Sequence, residues 1–128
     1  MQNEVVTHLV IVGKNPNDNE YSIGLAKSGE ALLTIQESLP IPVDPDASVC
    51  RFAALCIDAP PDWYTIRKQT FLVDTESKNG CLHLIYVATL PINIKLKHGV
   101  KWYAMSSLAS LNFANEIEKD IILEGIKL

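Results

Sequence analysis

Five prolines decide what residues 39–61, LPIPVDPDASVCRFAALCIDAPP, can become. Each proline fixes φ, removes a backbone donor and turns the preceding residue away from helix. Pro40, Pro42 and Pro45 therefore hold the chain extended and deny it a helix before Asp46, while Pro60 and Pro61 end one. Between these stops, Val49, Phe52, Ala53 and Cys56 recur at helical spacing, the pattern of a buried stripe. Asp46 or Ser48 is placed to cap the first turn with a side-chain oxygen. The opposite face offers Cys50, Ala54, Leu55 and Ile57, with charge only at Arg51 and Asp58. A helix so apolar all round is predicted to be covered on more than one side.

The flanking segments read as strands and turns. EVVTHLVIVG (4–13) is aliphatic and β-branched, and NPNDN follows as a turn. YSIGLAKSG (21–29) sets Tyr21, Ile23 and Leu25 on one face, so the two runs form a hairpin with a wide polar loop. Leu32 to Ile35 is expected to be extended. WYTIRKQTFLVD (63–74) and CLHLIYVATLP (81–91) flank Asn79-Gly80, a strong hairpin signal. The second of these is the most apolar run and is predicted to be central. INIKLKHG (92–99) alternates like a half-exposed strand, and VKWYAM (100–105) is a short strand into a turn. Ser106 starts a helical turn. Phe113, Ile117 and Ile121 then mark an amphipathic terminal helix capped by Asn112 and ending near Gly125. No repeat, linker or low-complexity segment interrupts the order, so residues 1–128 are expected to form a single α+β domain.

Hydrophobic residues at 48% and charged residues at 20% are ordinary globular values. A net charge of −4 leaves no electrostatic footprint for a nucleic-acid polymer or an anionic membrane. KLKHGVK (95–101) concentrates the basic residues and reads as a charged strand end. The three cysteines, Cys50, Cys56 and Cys81, form no CxxC pair and suit reduced, buried thiols. No apolar run reaches the length of a membrane span, and MQNEVVTH lacks the basic start and apolar core of a signal peptide. A cytoplasmic location is the expectation.

The order of elements, with LPIPVDPDAS before the first helix and Trp102 before the closing helices, resembles the Nudix hydrolase fold. The resemblance covers nearly the whole chain and implies a Nudix-like mixed β-sheet sandwiched between α-helices. The family's signature is Gly, five residues, Glu, seven residues, then Arg-Glu-hydrophobic-x-Glu-Glu-x-Gly-hydrophobic. Its helix glutamates hold magnesium against a diphosphate, work that needs hard oxygen ligands. Aligning Val43-Asp44-Pro45 with the family's Val-Glu-Pro sets Ile41 at the first glycine, Ala47 at the first glutamate and Leu55 at the arginine. Cys56, Ala59 and Pro60 then fall on the remaining glutamates, Ile57 on the hydrophobic position and Asp62 on the closing glycine. Only the hydrophobic position is kept, so the resemblance implies a degenerate site with no metal and no catalytic residues.

Three functions compete on these grounds. A pocket that lost its acids can still hold a nucleotide-like ligand, with Trp63 and Tyr64 as aromatic contacts and Asp44 and Asp58 nearby. Packing over the helix end is the plainer role for both aromatics, and solvated loop or helix-end charge is the plainer role for both acids. An interaction module, most simply a homodimer, would cover the apolar helix through Leu55 and Cys56. The alternative is a magnesium-dependent hydrolase of nucleoside diphosphate compounds using displaced carboxylates among Glu30, Glu37, Asp44 and Asp58. His8 and His83 sit in apolar strand runs and read as hydrogen-bonded core histidines. Cys81 and His83, two apart on one strand, supply at most half of a zinc site.

Overall fold

The aliphatic run that opens the chain is buried on both faces because it becomes the middle of a sheet. In the computed structural model, which describes residues 4–14, 20–39, 44–74, 81–91 and 94–127, this run is β1 (Glu4–Lys14). Along one edge it pairs in parallel, over its whole length, with β6 (Cys81–Pro91). Its other edge is shared: β4 (Ile35–Leu39) pairs with the first half and β2 (Tyr21–Ser28) with the second, both antiparallel. The sheet order is β3-β2-β1-β6-β5, with β3 at Ala31–Leu33 and β5 at Thr65–Asp74. A seventh strand, β7 (Lys101–Ala104), pairs with β2. Continuous burial from Val5 to Gly13 is what a strand covered on both faces requires.

One helix lies on each side. α1 (Pro45–Cys56) packs Val49, Phe52, Ala53 and Cys56 against Leu9, Ile11, Tyr86 and Ala88. α2 (Ile117–Gly125) packs Ile121 and Ile122 against Val10, Val12, Ile85 and Val87. Gly125 lets the end of α2 rest on the sheet, since a Cβ there would stand 3.1 Å from Val10 Cγ2. Each fully buried Leu or Ile contributes about 1.5–3 kcal/mol relative to exposure. The expected α+β sheet between helices is therefore the observed architecture, and β6 is internal as predicted.

Four local expectations are corrected. Asp44, not Asp46 or Ser48, caps α1: its carboxylate accepts from the backbone N–H of Asp46 (3.1 Å) and Ala47 (3.3 Å). Pro45 then opens the helix, where the donor it lacks would have no partner anyway. Asp44→Ala is expected to lower stability by about 1 kcal/mol in denaturant unfolding. Second, within the chain itself α1 is covered on one side only, for Cys50, Ala54 and Leu55 are exposed. Ile57 escapes that face by leaving the helix and bridging to Leu96.

Third, residues 94–99 form no strand beyond that bridge. His98 (φ 63°) and Gly99 (φ 82°) take successive left-handed conformations that turn the chain into β7. Fourth, α2 is shorter than predicted, because residues before Ile117 bond elsewhere. The Asn112 carbonyl accepts from the Leu32 N–H, and the Ala114 N–H donates to the Leu32 carbonyl, both at 2.8 Å. No serine caps the 3-10 turn Met105–Ser110, which starts after Ala104. Residues 15–19, Ile92 and Asn79-Gly80, on which three turn and strand expectations rest, lie outside the described residues.

The β5–β6 hairpin carries a bulge between Lys68 and Thr70. The extra residue, Gln69, switches the alternation. Before it, Thr65 and Arg67 share the α2 face with Val87 and Thr89; after it, Phe71 and Val73 lie on the α1 face opposite Leu84 and Leu82.

Candidate functional site

Three places hold the chemistry-bearing residues. The first surrounds the start of α1, where the chain's loop acids converge. Asp46 accepts a hydrogen bond from the Tyr86 hydroxyl and lies 3.7 Å from the Lys68 ammonium. Lys68 also stands 5.6 Å from the centre of the Tyr86 ring. Burial, then the Asp46 bond and the surrounding negative charge, push the Tyr86 phenol well above its usual range. Glu37 is clamped by one Arg51 nitrogen at 2.6 and 2.8 Å and accepts from Ser48 Oγ at 3.3 Å. Asp44 is the helix cap. The three carboxylates at the head of α1, Glu37, Asp44 and Asp46, are thus each held by a protein donor, while Asp58 beyond its other end is exposed.

The signature positions are filled accordingly: Ala47, Leu55 and Pro60 exposed, Ala59 half-buried, and Cys56 buried with Ile57. Ile41 lies outside the described residues. Among the described residues no group of three or more His, Cys, Asp or Glu is arranged to hold a metal ion. Of the two predicted interface residues, Leu55 is 47% exposed, whereas Cys56 is 5% exposed and part of the core. Cys56 therefore faces the sheet and presents no surface to a partner, a correction that follows from the one-sided cover of α1.

The second place is a cavity of about 280 Å³ where β5 begins. The proline stop after α1 makes one 3-10 turn (Pro61–Trp63), closed by the Trp63 N–H donating to the Pro60 carbonyl at 3.0 Å. That turn delivers Trp63 and Tyr64 to the cavity, with Asp62, Thr65, Arg67, Val87 and Thr89 completing its lining. Trp63 is 61% exposed, and Tyr64 is half-buried against the α1 core. Burial, and then the Cys50 thiol, raise the Tyr64 phenol above its usual value. The sequence-predicted ligand residues divide here. Trp63 and Tyr64 are brought together, while Asp44 and Asp58 flank a 12-residue helix, about 18 Å long at 1.5 Å per residue. Glu30 is exposed beside the β2–β3 turn.

The third place was hidden in the sequence. His8 and His83 are 75 residues apart, yet His8 Nε2 and His83 Nδ1 are 2.7 Å apart in the interior. Parallel pairing sets Val6 beside His83 and His8 beside Ile85, so both rings share the α2 face. His8 Nδ1 meets Thr34 Oγ1 at 2.7 Å, and Thr34 Oγ1 donates to the Glu118 carboxylate at 3.4–3.5 Å. Glu118 also accepts from the Thr34 N–H (3.2 Å) and the Gln36 amide. With Glu118 ionised, Thr34 donates to it and accepts from His8 Nδ1–H, so His8 Nε2 accepts from His83 Nδ1–H. Burial, and then His83, lower the His8 pKa to about 3. Burial raises that of Glu118 against the opposing effect of its three donors. The only sequence signal was a histidine in each of two aliphatic strands. Beside this network a groove of about 1280 Å³ runs between α2 and the β5–β6 hairpin, lined by Cys81 and His83 among others.

This architecture, a mixed sheet with the loop-capped α1 on one face and α2 on the other, is a Nudix-like fold. No protein-family model matches the sequence, and no curated protein matches it. Solved structures do. The Nudix domain of Shewanella oneidensis NrtR, solved with ADP ribose, is 12% identical with a TM-score of 0.71, covering 94% of this chain and 84% of that one. A Caenorhabditis elegans Ap4A hydrolase in a binary complex is 12% identical with a TM-score of 0.66, covering 94% and 93%. The Mycobacterium smegmatis Nudix hydrolase RenU is 12% identical with a TM-score of 0.63, covering 96% and 87%. At these identities the likeness is one of fold. Among the described residues no helix is long and apolar enough to cross a membrane.

Proposed function

We propose that this protein is a non-hydrolytic Nudix-like domain that binds a nucleotide-like small molecule in the cavity at the start of β5. The observation that carries this is the pairing of an exposed indole, Trp63, with the Arg67 guanidinium in one concavity. An indole face stacks on any base. A guanidinium matches phosphate oxygens in a bidentate fork, and Thr65 and Thr89 add hydroxyls. At about 280 Å³ the cavity takes one end of such a ligand, being at the lower limit of the roughly 300–1,000 Å³ common for small-molecule sites. The ADP ribose in the NrtR structure is a ligand of this chemical class.

The non-hydrolytic reading is supported by the engaged carboxylates at the head of α1. Glu37 is neutralised by Arg51, and Asp46 is shared by Tyr86 and Lys68. Asp44 is spent on the helix terminus. A magnesium ion would have to displace these donors before meeting a diphosphate. The competing reading, hydrolysis through displaced acids, predicts magnesium-dependent release of phosphate products that Asp44→Ala abolishes.

Thermal shift with ADP-ribose tests the binding. Saturation at a hundredfold excess over Kd stabilises by about 2.7 kcal/mol. Trp63→Ala is expected to weaken binding about tenfold, corresponding to about 1.4 kcal/mol of lost stacking, and Arg67→Ala by at least as much. Unchanged affinity in both variants would remove the ligand from this cavity.

A further inference from the structure

β5 ends the sheet, and among the described residues it pairs with β6 alone. A 10-residue strand with an open edge invites another strand unless it is short, charged or covered. Arg67, Lys68 and the bulge at Gln69 guard the first half of β5, but its second half displays Phe71 at 61% and Val73 at 58% exposure. The bulge puts both on the α1 face, where α1 reaches β1, β4 and β6 but leaves this end of the hairpin bare.

We infer that β5 pairs antiparallel with β5 of a second copy, making one continuous sheet through a two-fold axis at Phe71. The register follows from the strand's own pattern. With Phe71 opposite its twin, Thr70 meets Leu72 of the partner subunit, both on the α2 face. The bulge absorbs Gln69, as it does against β6. Lys68 then meets Val73 of the partner subunit on the α1 face, and Arg67 meets Asp74 of the partner subunit on the α2 face. No other register keeps every pair on a common face while setting opposite charges together at both ends. Cross-strand aromatic and opposite-charge pairs are the contacts that stabilise antiparallel ladders. Two-fold closure also consumes both open edges, so the association stops at two copies. Arg67 lines the ligand cavity too, so an anionic ligand and the partner's Asp74 compete for it.

The test is light scattering with in-line chromatography on the ligand-free protein, and it stands whether or not a nucleotide binds. Wild type is expected to run as two chains, Phe71→Glu as one chain with an unchanged far-UV spectrum, and Leu55→Glu as two. A second readout covers misfolding. In a Cys50→Ser background, Phe71→Cys is expected to form an intermolecular disulfide on mild oxidation, because facing residues of an antiparallel pair have Cα atoms about 4.5–5.5 Å apart, within disulfide reach. A monomeric wild type at up to about 0.1 mM, an association far weaker than a stable dimer, would overturn the inference. So would a dimer that survives Phe71→Glu, or failure of Phe71→Cys to cross-link.

Discussion

Acidifying the solution from pH 7 towards pH 4 is expected to strip stability from this protein faster than its surface carboxylates alone would. His8 carries the difference. In the unfolded chain its imidazole takes a proton near the ordinary value of 6.5, but in the fold only near 3. Between those values the unfolded state holds the extra proton, so stability falls as pH falls, by up to about 1.4 kcal/mol per pH unit. The cause is structural. His8 is fully buried, and its Nε2 already meets His83 Nδ1. Charging the ring would set a new Nε2–H against the His83 Nδ1–H donor, with no water to solvate the charge.

Glu118 works in the opposite sense. Its raised pKa keeps a proton in the fold that the unfolded chain has released, so its share of stability is lost as pH rises through the ordinary value of 4.5 and beyond. The two effects overlap above pH 4.5, which flattens the slope there and leaves the steepest loss below it. Urea unfolding at a series of pH values checks this. His8→Gln is expected to be less stable at pH 7 yet to show a shallower acid slope. Equal slopes for variant and wild type would assign the acid sensitivity elsewhere.

Glu118→Ala is expected to cost about 3 kcal/mol, a fall in Tm of roughly 10–15 °C for a chain of this size. The carboxylate is buried, and desolvating it is unfavourable, so its removal offers some relief. The relief is outweighed because two buried donors, the Thr34 N–H and the Thr34 hydroxyl, lose their acceptor together, while the half-buried Gln36 amide keeps its bond to the Thr34 carbonyl at 3.3 Å. Each buried donor left unmet costs about 1–3 kcal/mol. Thr34 occupies the break between β3 and β4, so its loosening also frees the strand that binds the first half of β1. Glu118→Gln keeps an acceptor and is expected to lose less than half as much. A cost below about 1 kcal/mol for the alanine variant would mean that water replaces the carboxylate, and the network would not be a structural bond between α2 and the sheet.

The fold was legible where local pattern and tertiary position agree. The stripe Val49, Phe52, Ala53, Cys56 lies buried as its spacing demands, and the continuous apolar runs became the inner strands β1 and β6. Errors arose where two local options compete or where backbone geometry breaks the pattern. Asp44 took the cap because Pro45 could begin the helix. Residues 94–99 alternate like a strand, but a left-handed pair at His98 and Gly99 leaves them without a ladder. The bulge at Gln69 reverses which residues of β5 face α1, and no periodicity in TIRKQTFLVD announces it.

The site was legible in part for the same reason. Trp63 and Tyr64 follow a proline stop, and that stop does place them in a cavity. Arg67 joins them only because β5 pairs Arg67 with Val87 on the same face as Thr65 and Thr89. The four-residue chain from Glu118 to His83 depends on strands β1 and β6 lying parallel, a relation that their sequences do not record.

The measurement that bears most directly on the account is a calorimetric titration of ADP-ribose into the protein with magnesium present, followed by chromatography of the cell contents. Saturating heats, an unchanged curve when magnesium is omitted, and ADP-ribose recovered intact are the predicted result. Continuing heat with release of phosphate products would contradict the non-hydrolytic reading, and the absence of any heat would contradict the ligand class.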